Sequence, residues 1–178
     1  MKFVYILDTN VLLDNPQALY AFPEAEVIIP QTVLAELDKL KTSRADSRLR
    51  FHGREISRIL FELSEKSKLT EGIELENGAI LRIQTFDLSR PIPEALKTKN
   101  SDDQILALAY QLKQQKSEEE VIMVTNDLNM LLKAQTFGIK VKYFEKEMPH
   151  GKLAAVTKFL KEQKRTILWI VVPILMVI

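Results

Sequence analysis

The sequence predicts an α/β fold in which helices cover a mainly parallel sheet. Short apolar segments alternate along the chain with longer segments whose apolar residues recur at helical spacing. Three of the apolar segments are continuous rather than alternating, which is typical of strands covered on both faces of a parallel sheet. With 178 residues, 46% of them hydrophobic, the chain is long enough to bury the core of one such domain.

The predicted strands and helices follow one another along most of the chain. Strands are predicted at residues 3–7, 27–29, 80–86, 121–124 and 139–144, where apolar residues cluster. Helices are predicted at residues 32–41, 47–69, 102–115 and 128–137, where apolar residues recur every three or four positions. Gly138 is placed to end the last helix, because glycine tolerates the left-handed conformation that follows many helices.

Composition excludes several classes of protein. The formal net charge is +1, so no overall field favours nucleic acid or a membrane, and such a contact must depend on a local patch. The chain contains no cysteine, which excludes a disulfide framework and a cysteine-bound zinc site. The first apolar segment is too short for a cleavable signal peptide. We therefore expect a cytoplasmic protein.

The last part of the chain differs in composition, and we expect a domain at 1–145 followed by an appendage at 146–178. Residues 166–178 are uncharged and apolar, and a basic stretch precedes them. A helix of that length would reach about 20 Å, short of the roughly 30 Å hydrocarbon core of a bilayer. Two readings stay open: the tail packs against the protein, or it contacts a membrane and tethers the chain, with the basic residues on the cytoplasmic side.

Acidic residues follow two of the predicted strands. Asp8 ends the first strand, and Asp127 follows the fourth. Open parallel sheets bind ligands at the carboxyl ends of their strands, so both residues are expected at the binding edge. Each aspartate taken alone is also explained as an N-cap, whose side chain accepts hydrogen bonds from the first turn of a helix.

Two predicted helices add further acids. Ser101 and Gln104 are predicted to form a capping box, which places Asp102 and Asp103 in the first helical turn. Helical spacing aligns Asp102 with the apolar stripe, so Asp102 is predicted to be the more inward of the pair. Glu36 borders the apolar stripe of an earlier helix, although alone it is explained as a solvated helix residue.

These carboxylates favour a metal site if they converge. Two unpaired carboxylates about 4 Å apart repel by roughly 4 kcal/mol at an effective dielectric of about 20. A cation among them would relieve this repulsion. An all-oxygen set without cysteine or clustered histidine suits Mg²⁺ or Mn²⁺, ions that can activate water for hydrolysis of a phosphodiester.

Four sequence blocks together resemble a PIN domain. They read ILDTNVLL, VIIPQTVLAELDKLK, SDDQILALA and VIMVTNDLNMLLKAQTFGIK, and they occur in the order of that family. They are most similar to the PIN domain at the front of PhoH-type proteins, and the resemblance extends over residues 3–144. It implies a three-layer α/β/α sandwich with acids at one edge of a mainly parallel central sheet.

The resemblance further implies a hydrolase, namely a Mg²⁺- or Mn²⁺-dependent endoribonuclease that cleaves single-stranded RNA with metal-activated water. The catalytic and metal-binding positions of the family correspond to Asp8, Glu36, Asp102 and Asp127. The residues expected to support them or to contact substrate are Asn10, Thr125, Asn126 and Asp103. The partners expected from this interpretation are single-stranded RNA, a second copy of the chain and a protein inhibitor.

Other functions stay open. A non-catalytic RNA-binding or scaffold module would not need the acids, all four of which are present. The toxin of a toxin–antitoxin pair would share the nuclease chemistry, and the sequence does not distinguish it from an RNA-processing enzyme. A phosphatase of the haloacid-dehalogenase type is disfavoured, because that family has a second aspartate two positions after the first, where this chain has Asn10.

A basic segment is the candidate RNA-contact surface. Arg50, Arg54 and Arg58 recur every four residues and are predicted to share one face of a helix, where they would contact phosphates. The alternative is a solvated face on which they pair with neighbouring glutamates. Phe51 is expected to pack in the core, with base stacking as the alternative.

Overall fold

The structure is a computed structural model that describes residues 2–42, 46–97 and 99–144, and it confirms the predicted α/β fold. The strands in these ranges are β1 (Phe3–Leu7), β2 (Glu26–Pro30), β3 (Ile73–Glu74), β4 (Ile80–Gln84), β5 (Glu120–Val124) and β6 (Lys140–Lys142). The α-helices are α1 (Thr9–Asp14), α2 (Gln31–Thr42), α3 (Ser47–Ser64), α4 (Ser101–Gln115) and α5 (Leu128–Thr136). Two short 3-10 segments lie at Pro16–Tyr20 and Glu94–Leu96.

All the described strands belong to one mixed sheet in the order β3-β4-β2-β1-β5-β6. Only β3 runs antiparallel, and the pairings among the other five strands are parallel. The central strand β1 lies between β2 and β5, with Ile6 opposite Ile28 on one side and Met123 on the other. The carboxyl ends of these three strands therefore meet at one edge of the sheet, and Asp8 lies at that edge.

Helices flank the sheet and bury its apolar side chains, as expected for a three-layer α/β/α sandwich. Every residue of β2 is buried. This confirms the prediction, made from its continuous apolar run, that the strand is covered on both faces of the sheet. In α4, the five consecutive residues 105–109 are all buried, so this helix is enclosed around most of its circumference. The core thus holds in place both β1, which ends next to Asp8, and α4, which carries Asp102 and Asp103 in its first turn.

The observed elements differ from the predicted ones mainly at their ends. The predicted helix at 47–69 ends at Ser64, and the predicted strand at 139–144 is shortened to Lys140–Lys142. Helix α1 and strand β3 were not predicted, because six and two residues are too few for a periodic pattern to emerge. The predicted capping box is wrong: Asn100 caps α4 by accepting a hydrogen bond from the Asp102 amide.

The division into a domain at 1–145 and an appendage at 146–178 stays a prediction, because the appendage lies outside the described residues. The apolar segment 166–178 and the two readings of it lie outside them as well. Within the three described ranges, none of the helices combines the length and the apolar character needed to cross a bilayer.

Gly138 follows the end of α5, as the sequence predicted, and we expect glycine to be the residue that fits the backbone conformation there with least strain. Its φ is +64°, a conformation that costs a residue with a side chain about 1–2 kcal/mol. A Cβ atom would also lie 3.0 Å from the Nζ atom of Lys113, which donates a hydrogen bond to the Gly138 carbonyl. Gly138→Ala should therefore lower the free energy of unfolding by about 1–2 kcal/mol in urea denaturation.

Gly53→Ala is the matched control for that substitution. Gly53 lies inside α3, and a Cβ atom there would make only ordinary contacts, the nearest at 3.9 Å from Leu13 and Leu37. Alanine is favoured over glycine within a helix by about 0.5–1 kcal/mol, so this substitution should stabilise the protein. Destabilisation of similar size by both substitutions would contradict the assignment of a special role to the backbone at Gly138.

Candidate active site

Asp8 lies where β1 ends and α1 begins, and its buried carboxylate accepts three hydrogen bonds. The donors are the Thr9 amide at 2.6 Å, the Asn10 side-chain amide at 2.7 Å and the Thr125 hydroxyl at 2.7 Å. Asp8 is therefore the N-cap of α1. It is also one of the four predicted acids, and we call the edge of the sheet where Asp8, Glu36, Asp102 and Asp127 are predicted the acidic edge. The two interpretations of this residue, cap and site, are compatible.

The environment of Asp8 opposes its ionisation. Burial raises the pKa of Asp8 to about 6, against the hydrogen bonds from Thr125 and Thr9, which lower it. The negative charges of Asp102 and Glu36 raise it further, so both acids lie within electrostatic range of Asp8. The hydrogen bonds to Asp8 therefore do not offset the combined effect of its burial and of the negative charges near it.

Thr125 joins the ends of β5 and β1. Its side chain is fully buried, and besides donating to Asp8 its hydroxyl accepts hydrogen bonds from the Asp127 amide at 3.0 Å and the Asn10 side chain at 3.2 Å. Asn10 in turn donates a hydrogen bond to the Asp8 carboxylate. These contacts fix the carboxylate of Asp8 relative to the turn that carries Asp127.

Asn126 extends this network in a way that the sequence did not predict in detail. Its amide donates to the Asn10 side chain at 3.0 Å, and its own side chain donates to Asp14 at 3.1 Å and accepts from the Phe144 amide at 2.9 Å. Asn126 therefore connects the two ends of α1 with the segment after β6. The partners Asn126 and Asp14 are 112 positions apart in the chain, so no local pattern signals their contact.

Glu36 reaches the site from α2. The Thr9 hydroxyl donates a hydrogen bond to the half-buried carboxylate of Glu36, while the Thr9 amide donates to Asp8. Thr9 thus connects two of the acids directly. The sequence does not predict this contact, because a hydroxyl next to a strand end does not indicate a partner on another helix.

The order of burial predicted for Asp102 and Asp103 is wrong. Asp103 is buried and pairs with Lys133 of α5, whereas Asp102 is exposed at the start of α4. The prediction relied on the alignment of Asp102 with one apolar stripe. Helix α4 is buried on most of its surface, so alignment with a single stripe did not distinguish the two positions.

Asp102 nevertheless belongs to the acidic edge by its electrostatics. Although its carboxyl is exposed, it is partly desolvated, which raises its pKa. The charges of Glu36, Asp127 and Asp103 raise this pKa as well, while Lys133 lowers it. Asp127 is exposed and caps α5, accepting from the Asn129 amide at 2.7 Å and the Met130 amide at 3.2 Å. The four predicted acids, Asp8, Glu36, Asp102 and Asp127, therefore interact through space from four separate parts of the chain.

The chemistry of these donors fits Mg²⁺ or Mn²⁺, since they are carboxylates with an excess of negative charge. In the part of the chain that the structure describes, no three acidic or imidazole side chains lie close enough together to share one ion. Like charges repel, and carboxylates without a cation between them are expected to stand apart. The arrangement is an acidic edge that a hard divalent cation would draw together.

The three predicted RNA-contact arginines lie on α3, as their spacing predicted. Arg54 and Arg58 are exposed, Arg50 is half-buried, and Arg58 pairs with Glu62 at 2.7 Å. Phe51 is not in the core as expected, because 59% of its surface is exposed.

The chain matches the PIN domain family model over residues 5–145. It is 35% identical to protein PhoH2 of Bacillus subtilis over 149 residues, which cover 81% of this chain and 33% of that protein. It is 30% identical to protein PhoH2 of Thermobispora bispora over 145 residues, which cover 81% of this chain and 32% of that protein. The chain spans about a third of the length of these curated relatives. A solved domain from Methanocaldococcus jannaschii covers 81% of this chain and 92% of its own length, with a TM-score of 0.48 and 20% identity.

The raised pKa of Asp8 predicts how stability depends on pH in metal-free buffer. The pKa is about 6 in the folded protein, against about 3.9 in an unfolded chain. The stabilisation from the protonated group is fully present below about pH 4 and is lost as the pH rises through about 6. A pKa difference of this size corresponds to about 3 kcal/mol of unfolding free energy. Asp8→Asn should remove this dependence, measured by urea denaturation in EDTA across the pH range.

The informative quantity is the difference in unfolding free energy between Asp8→Asn and the wild type. It should shift in favour of the variant as the pH rises, whatever constant cost the lost hydrogen bonds impose. The control is Asp87→Asn, because hydrogen bonds from Ser89 lower the pKa of that exposed carboxyl and the pH dependence should have the opposite sign. A difference between Asp8→Asn and wild type that is constant with pH would contradict the raised pKa.

Proposed function

The chain belongs to the PIN domain family, and from that premise we propose that it is a divalent-metal-dependent endoribonuclease acting on single-stranded RNA. PIN domains are generally nucleases. The observation that carries the proposal is the mutual electrostatic influence of four acids that reach one sheet edge from separate elements. A site for RNA phosphates made of carboxylates alone would repel its substrate, so the proposal includes the cation.

The proposed ligands of Mg²⁺ or Mn²⁺ are Asp8, Asp102 and Asp127, with Glu36 assisting or holding a second ion. When bound, the ion supplies positive charge to the phosphodiester and lowers the pKa of water. Asp8 would serve as the fixed ligand, because Thr125 and Asn10 orient its carboxylate through hydrogen bonds of 2.7 Å. Cation and proton compete for Asp8, so metal affinity should increase as the pH rises through about 6.

The proposed reaction is hydrolysis within the RNA strand. Water adds to phosphorus, the bond from phosphorus to the 3′ oxygen breaks, and that oxygen leaves with a proton. The products are a 5′-phosphate on one fragment and a 3′-hydroxyl on the other. The exposed positions of Asp102 and Asp127 support access for a strand, because these carboxylates face solvent at the edge of the sheet.

The proposal is tested by incubating the full chain with end-labelled single-stranded RNA in Mg²⁺, in Mn²⁺ and in EDTA. Cleavage is expected with either metal and not in EDTA. Loss of a hydrogen-bond partner of a metal ligand typically reduces activity by about 10–100-fold, and loss of the ligand itself should cost at least about 100-fold. We therefore expect Asp8→Asn to reduce the cleavage rate by at least about 100-fold.

Glu120→Gln is the matched control for Asp8→Asn, because it removes a carboxylate that pairs with Lys140 at the amino end of β5, and Asp127 follows the other end of that strand. Its cleavage rate should equal that of the wild type. Cleavage in EDTA, or equal rates for Asp8→Asn and wild type, would contradict the proposal, since a contaminating ribonuclease would give that result.

A further inference from the structure

Helix α3 presents two aromatic and two basic side chains to solvent along one line. Phe51, Arg54, Arg58 and Phe61 are spaced by three, four and three residues, so they stack above one another on one face of the helix. All four are exposed, with 59% of Phe51 and 64% of Phe61 accessible. We call these four residues the aromatic–arginine face. Each phenylalanine lies outside the core, which uses the opposite side of α3: Gly53, Ile56, Ile59, Leu60 and Leu63.

The charge around this face is locally positive although the whole chain is nearly neutral. Residues 48–58 contain four arginines and a single acid, Glu55. Arg58 pairs with Glu62, but both side chains are more than half exposed, and such surface pairs open at little cost. A polyanion therefore complements this part of α3 better than a neutral apolar surface would.

The two ends of the face are about 15 Å apart, because ten residues of helix separate Phe51 from Phe61. Unpaired bases stack on exposed aromatic rings, and arginines between the rings contact the intervening phosphates. From this combination of rings and charge we infer that the aromatic–arginine face binds single-stranded RNA outside the cleavage site. The choice of RNA over other single strands rests on the proposed function.

The start of α3 lies against the end of α1 that is farther from Asp8. At the start of α3 the His52 ring contacts the Leu13 carbonyl of α1, and Arg48 lies 3.7 Å from Asp14 at the end of α1. Helix α1 begins next to Asp8 and is six residues long, so it spans about 9 Å. A strand held on the aromatic–arginine face would therefore have to pass around the start of α3 and then along α1 to reach the acids.

The test is fluorescence anisotropy with a labelled single-stranded oligoribonucleotide and the full chain in EDTA, where cleavage does not occur. Phe51→Ala and Phe61→Ala should each weaken binding by about fivefold or more, because stacking on an aromatic ring is lost. Phe51→Tyr should retain wild-type affinity, which a merely structural effect of the alanine variant would not explain. The same RNA in a duplex should respond less to Phe51→Ala, since its bases are not free to stack.

Salt dependence provides a second, independent readout. The Arg54→Gln, Arg58→Gln double variant should reduce the slope of log affinity against log salt by about 1.4, since each phosphate contact to a single strand contributes about 0.7. The phenylalanine variants should leave this slope unchanged. The control is Lys140→Gln, which removes an exposed charge on β6, the outermost strand beside β5. This variant should change neither the affinity nor the slope.

Binding of RNA by Phe51→Ala and Phe61→Ala with wild-type affinity would overturn the inference and leave a protein partner as the occupant of this face. The wild type would still cleave RNA in that case, so the proposed function would stand. Conversely, RNA binding that depends on the face, in a chain that cleaves no RNA with either metal, would support the inference and defeat the proposed function.

Discussion

The hydrogen bond from Thr125 to Asp8 is the interaction on which the rest of the site depends. It joins the ends of two neighbouring parallel strands, β1 and β5, through side chains that are both buried. The same hydroxyl accepts from the Asp127 amide, so one oxygen sets the position of two acids. The sheet provides the proximity, because parallel strands end at the same edge, and Thr125 converts that proximity into a defined geometry.

Several carboxylates lie near this bond, and their mutual repulsion disfavours their ionised forms in the folded protein. Burial and the neighbouring acids raise the pKa of Asp8 to about 6, and Asp102 is affected in the same direction. The buried acid in the first turn of α4, Asp103, has Lys133 as a partner. Asp103 thus has a cationic partner, whereas the groups that donate to Asp8 from Thr9, Asn10 and Thr125 are uncharged. This difference separates a structural acid from the acids that we propose to bind metal.

The sequence predicted the parts of the site that follow from regular structure. Asp8 and Asp127 were predicted at one edge because continuous apolar runs imply parallel strands. Burial within a helix was not predictable in the same way, and the order of Asp102 and Asp103 was wrong because α4 is enclosed on most sides. Contacts such as that of Asn126 with Asp14 join residues 112 positions apart, and only the folded chain brings them together. The exposure of Phe51 was missed because phenylalanine is most often buried.

The central claim, that the acidic edge holds a divalent cation, is tested most directly by anomalous diffraction from crystals of the full chain soaked in Mn²⁺. We predict a manganese peak shared by the carboxylates of Asp8 and at least two of Glu36, Asp102 and Asp127, and the loss of that peak in Asp8→Asn crystals. The acids would then move towards the ion from the separated positions that they occupy without it. A wild-type crystal with manganese bound elsewhere, and with no peak at this edge, would contradict the claim.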